Sequence, residues 1–372
     1  MATSRVITNV KDAEAIALEW DALAVAARAP YCSPFWMIPW WRHMAPAGAE
    51  LRVIAIEDDG GVIGIAPFFV AKGAAGVNEY RLLSTGTSGR LQLLSAPGRS
   101  DEVRSEASRA FSKLEPGPDA IYLDAVPTDA WWVPGDPNAD GGVWSYTTYA
   151  VPAPLISMDV GSYDEWLSSK SSNFRQNARR HRRGLEKDGA TFRLSTPSDL
   201  RADLEAFGTL HEARWNARGG SNVLREGLLE MLHEVALELM PSNRFRMWMI
   251  DIDGRPISAQ IFVTAGDRVF YWLGGFDESW GRHQPTIQAL LTALEHSFEI
   301  GDRIFDLGGG GQHYKYRFTD REEHLRWAVA VPRGRRYLMN LVRLSPLIVK
   351  TEMSRRLSED TKKRLKGLVR RG

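Results

Sequence analysis

The chain has 372 residues, 44% of them hydrophobic and 25% charged, with 13 Trp and 14 Phe; that is an ordinary soluble composition, long enough for two cores rather than one. A formal net charge of +1 excludes a protein that coats nucleic acid over its whole surface. The single cysteine, Cys32 in "PYCSPFW", excludes an internal disulfide and a multi-cysteine metal site, and reads as a small buried filler.

The opening "MATSRVITNVKDAEAIALEW" lacks the basic-then-apolar order of a secretion signal, and "VIGIAPFFVA" (62–71) is strand-sized and broken by Gly and Pro. The expected location is the cytoplasm. Helices are expected over 11–28 and 34–44. "IAIEDDGGVIGIAPFFV" (54–70) then reads as strand, Asp-Gly turn, strand. A strand near 79–84, a helix near 101–114 and the strand "AIYLDAV" (120–126) complete the first half. "AVPAPLISMDV" (150–160) marks the junction with the second.

The second half starts with helices over 162–188, 200–218 and 224–239. Its hairpin "WMIDIDGRPISAQIFV" (248–263) repeats the first at a shift of 194 positions: Ile56 falls on Ile250, Asp59-Gly60 on Asp253-Gly254, Ile63 on Ile257 and Phe68 on Phe262. "DRVFYWLGGF" (267–276) is a third strand. Over 284–301 the apolar positions Ile287, Leu290, Leu291, Leu294 and Phe298 have helical spacing, with Pro285 in the first turn and Gly301 past the end. "RIFDLG" (303–308) and "LRWAVAV" (325–331) are further strands. The expected architecture is α/β (α+β): tandem lobes at 1–155 and 156–331, with mixed, mostly antiparallel sheets flanked by helices, and a tail at 332–372.

That tail is basic. From Val331 onward there are thirteen Lys and Arg against three Asp and Glu, so the body is mildly acidic. Its apolar residues, Tyr337, Leu338, Leu341, Val342 and Leu344, then Leu347, Ile348 and Val349, alternate with basic ones. Such a segment either packs on the body or lies against an anionic membrane surface at the inner membrane face.

Three strings carry chemistry. In "SSNFRQNARRHRRGLEKDGA" (171–190), a helix over 172–187 puts Arg175, Arg179, Arg182 and Arg183 on one stripe and Phe174, Ala178, His181 and Leu185 on another. Arginine forks suit phosphates or carboxylates, so the stripe is a candidate cleft wall, the alternative being a solvated face. "LHEARWNARGG" (210–220) holds His211, Glu212, Arg214 and Trp215, with His211 or Glu212 a candidate general base. "FDLGGGGQHYKYRF" (305–318) brings Asp306, Tyr314 and Lys315 together around four glycines, which let a backbone approach a ligand closely.

This order of elements resembles the GNAT acyltransferase fold. "SPFWMIPWWRHM" (33–44), "IAPFFV" (65–70), "NFRQNARRHRRGLEKDG" (173–189), "LHEARWNARGG" and "FDLGGGGQHYKYRF" are similar to the CelD-like acetyltransferases. Those tandem-lobe proteins are associated with bacterial polysaccharide biosynthesis and are related to the FemABX aminoacyltransferases. The resemblance covers roughly residues 10–330. It implies acetyl-CoA or another acyl-CoA as co-substrate, a saccharide or cell-envelope precursor as acceptor, and no metal.

By the same resemblance the donor lies in a gap between the strand ending near Gly275 and the one beginning near Arg303. Its expected contacts are Gly275, Arg282, His283, Gln284 and Thr286, with the diphosphate at the stretch from Arg282 to Thr286. "RHQPTI" departs from the usual pyrophosphate loop, with Pro285 and Ile287 where glycine and a small residue are expected. Lys315 is expected to stabilise an anionic substrate or oxyanion, Tyr314 to donate a proton, Asp306 to orient or act as base, and Glu212 to assist. Arg175, Arg179, Arg182, Arg214, Trp215, Gly309 and Gly310 are the expected substrate contacts. The FemABX kinship offers an alternative, an aminoacyl-tRNA donor held by the arginine stripe and the tail. A third reading keeps the fold as a non-catalytic binding protein.

Overall fold

The computed structural model describes residues 2–73, 76–135, 142–216, 225–319, 321–333 and 336–356. The first half runs β1 (Thr3–Ile7), α1 (Val10–Ala15), α2 (Ala17–Ala26), α3 (Pro34–Met44), β2 (Glu50–Asp58), β3 (Gly61–Lys72), β4 (Asn78–Leu82), β5 (Leu94–Ser95), α4 (Ser100–Phe111), β6 (Ala120–Pro127) and β7 (Val143–Ser157). Side chains set the helix starts: Asn9 accepts the Asp12 N–H ahead of α1, and Ser33 accepts the Phe35 N–H ahead of α3, where Pro34 takes the first turn.

The second half runs α5 (Tyr163–Ser168), α6 (Ser172–Lys187), β8 (Ala190–Leu194), α7 (Leu200–Asn216), α8 (Leu228–Leu239), β9 (Phe245–Ile252), β10 (Arg255–Ala265), β11 (Arg268–Phe276), α9 (Pro285–Ile300), β12 (Ile304–Asp306), β13 (Glu322–Pro332) and α10 (Tyr337–Arg356). Asp253 and Gly254 both have positive φ, 50° and 73°, which matches the twist of a two-residue hairpin turn. Gly301, at φ 84°, ends α9.

The internal repeat extends to the hydrogen-bond register. Ile56 pairs with Gly64 and Glu57 with Val62, leaving Ile63 as a bulge. In the second half Ile250 pairs with Ser258 and Asp251 with Pro256, leaving Ile257 as the bulge at the same repeat position. Each lobe then sends its third strand through a helix to a parallel neighbour. β4 pairs with β6 at Glu79↔Ala120, Tyr80↔Ile121 and Arg81↔Tyr122; β11 pairs with β12 at Arg268↔Ile304, Val269↔Phe305 and Phe270↔Asp306.

The two units share one 13-stranded sheet, ordered β1-β2-β3-β4-β6-β13-β7-β12-β11-β10-β9-β8, with β5 added on β3. Its strands pair antiparallel except for β4 with β6 and β11 with β12. The closing strands cross over. β7, from the first half, pairs with β12, and β13, from the second, pairs with β6. The junction expected at 150–160 is therefore interior strand, with β7 and β13 paired from Glu322↔Pro154 to Pro332↔Val143.

The main core is continuous between the lobes: Trp20, Trp36 and Phe68 of the first join Phe207, Met247 and Phe270 of the second. Truncating such a ring would cost about 3–5 kcal/mol. On the opposite face of the second lobe, Trp166, Phe174, Phe262, Phe305 and Phe318 form a separate cluster that seats α5, α6 and α9. A third cluster, with Val77, Val329 and Val331, holds α10 to the body through Leu344 and Tyr337.

Candidate functional site

The parallel contact between β11 and β12 stops at Phe270↔Asp306, and the two chains diverge. β11 stays on β10 as far as Ser258↔Phe276. Beyond β12 the backbone leans the other way, toward β7, with Leu307 N–H donating to Pro154 O at 3.0 Å and Gly310 N–H to Pro152 O at 2.7 Å. A wedge opens between them, so the expected splay between the strands near Gly275 and Arg303 is present. The glycines shape its rims. Gly308 has φ 78° and Gly310 φ 102°, backbone that L side chains rarely adopt. A Cβ on Gly275 would lie 2.6 Å from the His211 N, so bare backbone there lets α7 close on β11.

A pocket of about 350 Å³ lies between α6 and α9, and a smaller one, about 170 Å³, sits at the mouth of the wedge. Tyr271 to Leu273 and Gly308–Gly309 line the smaller pocket from the second lobe; Tyr31, Thr87 and Arg90 line it from the first. Beneath it lies a buried ionic node. Asp306 is fully buried, with Oδ2 2.6 Å from both Arg90 Nη2 and Arg268 Nη2 and Oδ1 accepting the Gly308 N–H at 2.7 Å. Glu323 takes both arginines too, at 2.5 Å from Arg90 Nη1 and 2.9 Å from Arg268 Nη2.

The electrostatics follow from that burial. Burial opposes charge on Glu323, but the Arg268 hydrogen bond and the Arg90 charge outweigh it and hold the carboxyl below its usual range. Burial first, then Asp306, pushes the Tyr31 phenol up, so it stays protonated. Lys315 Nζ donates to Gly308 O at 2.9 Å and Gly309 O at 3.0 Å, and burial lowers its pKa to about 8. Lys315 therefore fastens the glycine turn, and both Asp306 oxygens are engaged, which suits orientation rather than base work.

α6 forms over Ser172–Lys187 and buries Phe174, Ala178, His181 and Leu185, the apolar stripe expected from its spacing. Its arginines divide. Arg175 does not face the groove, because Nη1 donates to Ser168 O and Lys170 O at the end of α5. Arg182 stacks on Phe192 at 3.5 Å, pairs with Glu186 at 2.7 Å and donates to Thr292 Oγ1 at 2.9 Å. Arg179 and Arg183 stay exposed and line the groove against α9.

The turn before α9 is partly held. His283 packs on Gly184, where a Cβ would lie 2.6 Å from its Nδ1, and Arg282 Nε donates to His283 Nε2 at 2.8 Å. Gln284 precedes Pro285 at φ 52° and gives no side-chain cap, and the first turn of α9 has no acidic residue. Thr286 Oγ1 accepts from the buried Gln260 at 3.5 Å, and Gln260 also takes the Tyr271 hydroxyl at 2.8 Å and reaches Gly275 O at 3.1 Å. An uncapped helix start free of acids, beside a strand edge without a strand partner, fits a thioester carrying a diphosphate.

Other expected residues lie elsewhere. Glu212 is exposed on α7 and does not line the pocket, whereas its neighbour His211 is buried with Nδ1 3.2 Å from Gly274 O. Tyr314 packs against the ring cluster of Phe174 and Phe318. The side chains of Arg214 and Trp215 lie outside the described residues. Sequence reasoning missed Tyr31, Arg90, Arg268 and Glu323. The signal available for Arg90 was "STGTSGR" (84–90), a run of turn residues longer than a simple strand-to-helix link needs. Arg90 itself has φ 55°, a conformation costly for a non-glycine residue.

Residues 172–316 match the model of the acetyltransferase (GNAT) domain. Among solved structures the chain is similar to FemX, at 14% identity and TM-score 0.61 over 87% of this chain and 98% of that one. It is also similar to the C-terminal domain of a putative lysylphosphatidylglycerol synthetase from Agrobacterium fabrum, at 13% identity and TM-score 0.53 over 90% and 96%. A conserved protein of unknown function from Bacteroides thetaiotaomicron shares 10% identity at TM-score 0.50 over 90% and 100%. No curated protein matches. The architecture is mixed α/β with one large, mostly antiparallel sheet flanked by helices, and the GNAT domain match across the wedge supports an acetyltransferase-like enzyme.

Proposed function

We propose that the second lobe transfers an acyl group from an acyl-CoA thioester to an amine or hydroxyl of a saccharide or cell-envelope precursor, in the manner of the CelD-like acetyltransferases. The observation that carries this reading is the wedge: β11 and β12 pair at three positions only, then part beside a pocket both lobes line. The lobes are taken as residues 1–155 and 156–331, with 332–372 as a basic tail. In the reaction the acceptor nitrogen or oxygen attacks the thioester carbonyl, the C–S bond breaks, and the acceptor's proton ends on the departing sulfur.

The chain's own groups divide that work. Arg282, His283, Gln284 and Thr286 would bind the diphosphate at the start of α9, and the free edge of β11 through Gly275 would pair with the donor's amides. Asp306 holds the node that sets the pocket floor, and Lys315 fixes the Gly308–Gly309 carbonyls. The protonated Tyr31 phenol, facing the pocket, is positioned to donate to developing negative charge. Arg179 and Arg183 would meet acidic groups of the acceptor.

Calorimetric titration with acetyl-CoA, longer acyl-CoAs and aminoacyl-tRNA tests the donor. Saturable heat with an acyl-CoA, its affinity weakened about tenfold when Thr286 is replaced by Asp, is expected. Binding of charged tRNA alone would transfer the chemistry to the FemABX-type donor. Binding of neither would leave a binding protein that keeps the fold.

A further inference from the structure

Helix α10 has two apolar faces, and only one packs against other described residues. Tyr337, Leu341, Leu344 and Ile348 turn inward onto the cluster that includes Val77, Val329 and Val331. At 100° per residue, Leu338, Val342, Val349 and Met353 fall within a narrow arc on the opposite side. They are 74%, 71%, 55% and 60% exposed. Arg343 and Lys350 are exposed along one border of that arc, which contains no Asp or Glu. The nearest acid, Glu352, turns aside to accept from the Tyr146 hydroxyl.

An exposed apolar stripe about 22 Å long on a surface helix is costly in water. Its border gives the chemistry of what covers it. The sixteen residues after Arg356 add six Lys and Arg against two Asp and Glu, on a chain whose body is mildly acidic. A symmetric contact with a second copy would bring Arg343 and Lys350 toward their own equivalents. A nucleic acid would leave the aliphatic stripe unused. A bilayer rich in anionic headgroups satisfies both halves of the pattern, taking the aliphatic side chains below its headgroups and the cations at them. No described helix is long and apolar enough to cross a membrane, so the contact is peripheral.

We propose that the outer face of α10 docks on an anionic lipid surface. The pocket at the wedge lies outside this face, and the proposal stands whichever donor the second lobe uses. Flotation of the full chain with vesicles tests it, comparing phosphatidylcholine alone with phosphatidylcholine containing about one third phosphatidylglycerol. Expected is several-fold greater recovery with the anionic vesicles, reduced by 0.5 M salt on the order expected for screened surface charge. Val342→Asp with Val349→Asp should lower recovery roughly tenfold with an unchanged melting curve; Arg343→Glu with Lys350→Glu should remove the preference for anionic lipid. Equal recovery with both vesicle types, or undiminished recovery of the Val342→Asp/Val349→Asp protein, overturns the proposal. So does light scattering that shows a dimer in the parent chain and a monomer in that variant.

Discussion

The two lobes carry the same sheet, yet only the second keeps its wedge open. In the first lobe β4 leaves the sheet at Leu82, and residues 83–93 loop out before β5 returns to Gly64 and Ile65 of β3. In the second, β11 runs unbroken and fills the equivalent places opposite Ser258 and Ala259. At the last pair of the short parallel contact Arg81 lies over the Tyr122 ring at 3.8 Å, and beyond it the first lobe still has side chains, Thr85 donating to Asp124. The second has Gly308 and Gly309 there. One duplicate has turned its gap into packing, and its excursion delivers Thr87 and Arg90 to the other's pocket. A duplicated fold can thus separate scaffold from site by strand continuity and side-chain volume alone.

Filling the open wedge as the first lobe is filled should have the largest effect. A Cβ on Gly309 would meet Leu325 Cδ1 at 3.2 Å and Val151 Cγ2 at 3.5 Å, so a small shift admits it and the rest of a Phe occupies the pocket. Gly309→Phe should lower kcat/KM by about 100-fold or more while circular dichroism shows an intact fold. Arg81→Ala, which loosens the closed gap, should leave turnover at the parent level. Equal losses in the two variants would erase the functional distinction between the lobes.

The next effect is a pH dependence confined to the open side. Lys315 has a pKa near 8 in the fold against 10.5 for the free side chain. Between those values the unfolded chain binds more protons at this position than the native one, so stability rises with pH. The gain at this residue is about 3 kcal/mol by pH 10.5, and it is absent below pH 8. Urea unfolding from pH 7 to 10.5 should show that slope in the parent and a flatter one in Lys315→Met. An identical slope in both would mean that Lys315 is hydrated in the fold.

Much of the second lobe was legible because its signals are local. The four buried positions of α6 follow from helical spacing, and the repeat of 194 positions is matched down to the bulges at Ile63 and Ile257. Pro152 and Pro154 hid β7, since proline inside a strand argues against the assignment; here they sit where the wedge backbone takes over, their carbonyls accepting from Gly310 and Leu307. The site was only half legible. Asp306, Lys315 and the glycines share one string, but Arg90 and Arg268 meet Asp306, and Glu323 meets both arginines, only because the sheet brings distant segments together. Arg175 was misassigned because helical spacing gives a side chain's face, not its reach to the carbonyls at the end of α5.

The helix starts behind the two gaps give the smallest effects and the sharpest contrast. The first turn of α4 carries Asp101 and Glu102, whereas that of α9 has no acid and follows Arg282 and His283. An acid placed in α9 should repel the donor's diphosphate: Thr286→Asp should raise the dissociation constant for acyl-CoA about tenfold, with little change in melting temperature. Removing an acid from α4 should do the reverse in kind. Asp101 is exposed at the positive end of its helix dipole, so its charge stabilises α4 weakly and reaches no ligand. Asp101→Asn should lower Tm by about 1–2 °C and leave acyl-CoA affinity untouched. If that variant instead gained affinity, the first lobe would be a donor site held shut by its own acids, and the division between scaffold and site would have to be redrawn.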